Sequence, residues 1–364
     1  MKKLIASLMS LAVLVWVAGP LMAVAISTGL TQDASGGTAP SVLVSWVARG
    51  DAYTNPTDYY RDNDSIANSQ ILPSGQYNTH RNIAMCAIVA SEYGIEYINN
   101  VYADVFYPGV KLGAYHTALP NQSGKGCGQF MQQDLLNKLA KQVGIDLFCT
   151  NVQQNNGNLP SWNSSDSYST LCGTTGKLYK DEAVVYCGTK VISYEDPAGY
   201  YPITTLVQDK NGQSGVHNHG FQYLGVNAFE VDFNQISYGN VKLNINKVVG
   251  GDLTFSPMNL DKPSIRNVGN VRLTVGILQN DMNLGKSSGQ WNVSYGARIG
   301  HLVTFTPYSP EETKIILDEL DLSQLNEMDF SVLVNKFPYP VPSAGFIGSM
   351  TLSSAEAPFV VCTQ

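Results

Sequence analysis

The chain has 364 residues, a formal charge of −7 and only 14% charged side chains. That length suits two domains, and the absence of basic patches argues against nucleic acid and anionic membrane surfaces as partners. Abundant Gly, Asn, Ser, Thr and Tyr suit an all-β extracellular protein with many turns, and they exclude a helical enzyme or a disordered tail.

The opening residues MKKLIASLMSLAVLVWVAGPLMAVA read as a secretory signal peptide over 1–25. Lys2 and Lys3 form the charged start, Leu4 to Gly19 the apolar stretch, and Ala23-Val24-Ala25 the cleavage site. The apolar stretch is short for a membrane span. Removing Lys2 and Lys3 takes the charge of the mature chain from −7 to −9. The expectation is a protein that is secreted or held at the cell surface, with no transmembrane segment in the mature chain. Residues 26–40, ISTGLTQDASGGTAP, read as a flexible N-terminal arm, either a disordered stub or a strand donated to a neighbour's sheet edge.

A first module is expected over 41–225. SVLVSWVA (41–48) is rich in strand formers, and NIAMCAIVA (82–90) is a continuous apolar run of the kind buried on both faces. In INNVYADVFYP, Val101, Ala103, Val105 and Tyr107 share one face. Residues 110–190 read as an irregular insertion. Within it QFMQQDLLNKLAKQVG is expected as an amphipathic helix, with Phe130, Leu135, Leu136, Leu139 and Val143 on one side. After Cys149 a polar loop runs through Asn163 toward Cys172. EDPAGYYPITTLVQDKNG then reads as turn, strand, turn, with Asp196, Gly199 and Tyr201 placed for a tyrosine corner. HGFQYLGV closes the module.

A second module is expected over 226–364. AFEVDFNQI alternates, and PSIRNVGNVRLTVGILQ places a turn at Asn267 to Asn270 before Val271, Leu273, Val275 and Ile277 on one face. WNVSYGARI, HLVTFTP, MDFSVLVNKF and GFIGSMTLSS add strands. SPEETKIILDEL is expected as a short helix, with Ser309 capping and Glu312 closing the box. The fold class is therefore all-β: two tandem Ig-like antiparallel β-sandwiches, the first with a disulfide-stapled, partly helical insertion.

Six cysteines, Cys86, Cys127, Cys149, Cys172, Cys187 and Cys362, are an even set in an exported chain, so disulfides are expected in any of 15 connectivities. Asn63, Asn121, Asn163 and Asn292 head sequons for N-glycosylation. Cys127 lies between two glycines ahead of the expected helix, a setting that favours thiolate, and with His217 or His219 it faintly resembles a papain-like peptidase. The resemblance is incomplete: Gln129 and Phe130 stand where that family has a second cysteine and a tryptophan. No catalytic residue is assigned and no enzyme is expected. His217 and His219, two apart on a strand, point the same way, but a pair at an exposed strand edge makes no metal site. Asp62-Asn63-Asp64-Ser65 and Asp209-Lys210-Asn211-Gly212 are oxygen-rich turns that suit calcium, yet neither is an EF-hand loop. No cofactor is expected beyond that option.

PSIRNVGNVRLTV, DFSVLV and GFIGSMTLS together resemble the strand–turn pattern of Ig-like modules in secreted prokaryotic surface proteins, among them camelysin-type biofilm-fibre proteins. MCAIVASEYGIEYINNVYADVFYP and AGYYPITTLVQDKNG are similar to such modules as well. Two modules and six cysteines depart from the single-domain fibre proteins. The resemblance implies a structural or adhesive protein that binds other surface proteins, glycans or itself through strand edges and loops. A glycan- or calcium-binding module is the alternative, and a papain-like thiol hydrolase a distant third.

Overall fold

The structure is a computed structural model. It describes residues 38–49, 65–66, 70–73, 75–112, 124–150, 168–257, 262–300, 304–342, 345–358 and 360–362. The larger of its two compact units, Thr38–Val361, holds every strand named below. The signal peptide, nearly all of the N-terminal arm and the Asp62–Asp64 turn lie outside the described residues.

The first half carries β1 (Ser41–Arg49), β2 (Ser65–Ile66), β3 (Gln70–Ile71), β4 (His80–Ala90), β5 (Ile98–Phe106), β6 (Val110–Lys111), β7 (Phe130–Lys138), β8 (Ala183–Ser193), β9 (Gly199–Asp209) and β10 (Ser214–Tyr223). Nine of them form one continuous path, β1-β4-β8-β7-β5-β9-β10-β3-β2. The apolar run of β4 explains the layering. Ala84, Cys86 and Ile88 enter one core with Trp46, Phe148 and Leu171. Ile83, Met85, Ala87 and Val89 enter another with Val101, Val105, Ile203 and Phe221. A strand that buries both faces has no room for polar alternation.

The stapled segment supplies the cover on the first of these faces. It contains a short helix α1 (Lys141–Ile145), a π-turn over Asp146–Thr150 and a second short helix α2 (Tyr168–Leu171). Leu147, Phe148 and Leu171 are fully buried, and the Phe148 ring lies 5.3 Å from Trp46. Cys149–Cys172 clips this cover, with Cα atoms 5.4 Å apart. Cys86–Cys187 joins directly opposed residues of β4 and β8 beneath it.

Two expectations are corrected here. The segment 129–144 is not an amphipathic helix: Phe130–Lys138 is strand β7, and only Lys141–Ile145 is α-helical. β7 pairs with β5 from Val101↔Leu136 to Phe106↔Phe130 and with β8 at Asn137↔Cys187 and Lys138↔Tyr186. It bridges two groups of strands, and the ladder bonds it completes outweigh a weak helical period. Phe130 and Leu135, assigned to a buried helix face, are exposed. The region 110–190 is likewise not irregular throughout, because β7 and most of β8 lie in it.

The second half carries β11 (Phe229–Val231), β12 (Lys247–Val249), β13 (Ser264–Asn267), β14 (Leu273–Gln279), β15 (Lys286–Ser287), β16 (Gln290–Trp291), β17 (Val293–Ile299), β18 (Thr306–Tyr308), β19 (Lys314–Leu320), β20 (Leu325–Val334), β21 (Met350–Glu356) and β22 (Val360–Val361). The sheet β11-β13-β20-β17-β18, with β12 also on β20, faces the sheet β19-β14-β21. Ile265, Leu273, Val275, Ile277, Val293, Tyr295, Phe330 and Val332 fill the space between. The helix expected in SPEETKIILDEL is strand β19. Half of the capping box forms, the Ser309 N–H donating to the Glu312 carboxylate at 3.2 Å. Glu311 then adopts φ 63°, which ends any helical path, and the β-branched Ile315 and Ile316 pair with β14.

The string RNVGN buckles the halves together. The Val226 N–H donates to Asn270 Oδ1 at 2.7 Å, and Asn270 Nδ2 donates to the Leu224 carbonyl at 2.9 Å. The Ala198 N–H donates to the Asn270 carbonyl. A Cβ at Gly269 would sit 2.1 Å from the Val226 carbonyl oxygen, so only glycine allows the approach. Arg266 lies between the rings of Tyr77 and Phe255, at 3.8 and 3.7 Å, and pairs with Glu230. β22 returns to the first half by pairing with β6.

Candidate functional site

The connection from β20 to β21 carries three exposed large apolar side chains. Tyr339 is 96% exposed and Ile347 68%, with Val341 also exposed. Phe337 and Phe346 stack at 5.5 Å and hold the two arms of the loop together. Its base is tied to the turn after β14. The Ser349 N–H donates to Asn280 Oδ1 at 3.0 Å, and Asn283 Nδ2 donates to the Ile347 carbonyl at 3.3 Å. The Tyr339–Pro340 peptide is cis. Large aromatic and branched side chains held in water on a braced loop form a recognition surface in chemical terms, because their burial by a partner releases ordered hydration. GFIGSMTLSS is expected as strand from Gly345. The strand starts only at Met350, leaving Phe346 and Ile347 outside it. Apolar residues interleaved with proline, which cannot serve an interior strand, were the available signal.

Cys127 carries no thiolate chemistry. It is disulfide-bonded, as is Cys362, and no described cysteine is free. Its φ is 51°, in a turn that leads into β7 and not into a helix, and its N–H donates to the Val110 carbonyl at 3.0 Å. Gly126 beside it has φ 124°, and a Cβ there would lie 2.5 Å from that same carbonyl oxygen. The glycines around Cys127 therefore serve a tight turn.

His217 and His219 do share the inward face of β10, but the exposure expected for them is corrected. His219 is buried, and His217 is partly so. Ser45 Oγ and His217 Nδ1 lie 2.6 Å apart, linking β1 to β10. Neither ring nitrogen of His219 has a hydrogen-bond partner among the described residues. Burial, and secondarily the neighbouring His217, lowers its pKa from 6.5 to about 3. Among the described residues no three His, Cys, Asp or Glu side chains gather as a metal site.

One carboxylate oxygen of Asp209 serves its own turn. Asp209 Oδ1 accepts from the Asn211 and Gln213 N–H groups at 2.9 and 2.8 Å, closing the β9–β10 hairpin. The tyrosine corner is formed: buried Tyr201 donates its hydroxyl to the Pro197 carbonyl at 2.8 Å, and Asp196 Oδ2 accepts from the Ser193 N–H at 2.8 Å. Of the sequons, Asn63, Asn121 and Asn163 lie outside the described residues. Asn292 is buried, and its Nδ2 donates to the Leu284 carbonyl at 2.8 Å. No described helix is long and apolar enough to cross a membrane.

No family model matches the chain, and no curated protein matches it. Solved structures similar to it include a carbohydrate-binding module of the β-sandwich superfamily, at 9% identity and TM-score 0.21, covering 89% of this chain and 99% of that one. The C-terminal domain of the Streptococcus pyogenes antigen I/II-family protein AspA matches at 11% identity and TM-score 0.20, covering 87% and 100%. A CFA/I fimbrial chaperone–tip adhesin complex matches at 11% identity and TM-score 0.25, covering 87% and 85%. At these TM-scores the reading of this chain rests on its own residues.

Proposed function

We propose that this chain is a secreted, non-enzymatic structural or adhesive protein of the cell surface or an extracellular assembly. Tyr339, Val341 and Ile347 carry this reading, because they are large hydrophobic side chains set in water beside a Phe337–Phe346 stack that packs against the core. Two observations support it. Cys127, the candidate nucleophile, is held in a disulfide, and Asp209 Oδ1 closes a hairpin. Six cysteines, all disulfide-bonded, suit a chain working in oxidising surroundings. The partners are other surface proteins, surface glycans or further copies of the chain, met at this loop and at sheet edges.

The test compares the wild-type protein with the double variant Tyr339→Ser, Ile347→Ser. Sedimentation velocity reads self-association, and binding of labelled protein to intact cells of the source organism and to a glycan array reads the other partners. The variant should fold normally, since both side chains are exposed, and lose at least tenfold in whichever association the wild type shows. Equal association by both proteins would remove the loop from the reading.

A further inference from the structure

The antiparallel ladder between β7 and β8 stops at Asn137↔Cys187, because β7 turns away to join β5. Continued past that point, the register sets Asp134 opposite Lys190. There the side chains do what the backbones no longer do. Lys190 Nζ lies 3.6 Å from Asp134 Oδ2, with the lysine side chain 5% exposed and the aspartate 13%. Gln132 holds both ends: its Nε2 donates to Asp134 Oδ1 at 2.9 Å, and its Oε1 accepts from Lys190 Nζ at 2.5 Å. Asp134 Oδ2 is buried and accepts no hydrogen bond. A salt bridge so enclosed gains little, because both ions lose their water and one carboxylate oxygen stays unsatisfied.

The geometry points to a covalent end state: we propose that Lys190 and Asp134 condense to an intramolecular amide that cross-links β7 to β8. The neutral amine of Lys190 attacks Asp134 Cγ in its carboxylic acid form. The Nζ–Cγ bond forms, the Cγ–O bond to the hydroxyl breaks, and the hydroxyl leaves with an amine proton as water. No oxidant, metal or activated donor enters the balance. Burial favours the reactive forms, lowering the pKa of Lys190 and raising that of Asp134. The other nearby carboxylate, Asp196, is engaged by Lys125 at 2.9 Å and by the Ser193 N–H, so Asp134 is the acyl partner.

The experiment is mass spectrometry of the secreted, reduced wild-type protein. A proteolytic digest should contain one branched peptide joining the Asp134 and Lys190 segments, lighter than the two linear peptides together by one additional water. Lys190→Gln should yield only linear peptides at full mass and should migrate more slowly than wild type on reducing denaturing gels, as a chain freed of an internal link. If the wild type itself yields both linear peptides at full mass, the pair is an ordinary buried ion pair and the proposal is overturned. That result stands whether or not the variant folds, and it leaves the adhesive reading untouched.

Discussion

Replacing His219 by phenylalanine should flatten the acid limb of the stability curve. His219 is 9% exposed on the inward face of β10, and its folded pKa is about 3 against 6.5 for the free side chain. A group whose folded pKa is depressed binds its proton more readily in the unfolded chain. For a histidine, stability is therefore intact above pH 6.5 and lost progressively as the pH falls from 6.5 toward 3. Each pH unit in that window costs about 1.4 kcal/mol, so the wild type should lose roughly 2–3 kcal/mol by pH 4.5 from this group alone. Phenylalanine fills nearly the same volume and carries no proton. It also removes a buried N–H that lacks a partner among the described residues, a liability of about 1–3 kcal/mol. Urea unfolding followed by tryptophan fluorescence at pH 7.0, 5.5 and 4.5 would read both effects. The variant should match or exceed the wild type at pH 7, and its advantage should grow by roughly 2–3 kcal/mol at pH 4.5. An advantage that stays constant with pH would refute the argument, since it would mean that His219 is protonated alike in folded and unfolded chains.

Two further outcomes follow from the same geometry. Asn270→Ala should destabilise the protein by about 2–4 kcal/mol in urea, because it strands the Val226 N–H and the Leu224 carbonyl where the halves meet; a cost below about 0.5 kcal/mol would mean that the buckle is held elsewhere. Alkylation of the unreduced protein should label no cysteine, and Cys127 should appear only in a cross-linked peptide. Rapid labelling of Cys127 at neutral pH would reopen the thiol hydrolase.

Much of this organisation was legible along the chain. The alternation in 98–107 placed Val101, Ala103 and Val105 inward, where they are buried. The apolar run of β4 announced two buried faces, and DPAGYY announced the tyrosine corner. These are local patterns, and period and turn chemistry report them directly. The sequence also set the number of cysteines and the glycines that allow the turns at Cys127 and Asn270. What tertiary structure decided was every choice in which local preference was weak. QFMQQDLLNKLAKQ has a plausible helical face, but a gap between β5 and β8 made it a strand, since unpaired ladder groups in the interior cost more than helix propensity returns. SPEETKIILDEL yielded to β14 in the same way. The residues flanking the polar loop, Leu147, Phe148 and Leu171 among them, cover a sheet face that would otherwise be wet. Partners far apart in sequence, such as Asp134 with Lys190 or Ser45 with His217, leave no mark on local periodicity, because only the closed sheets bring them into contact.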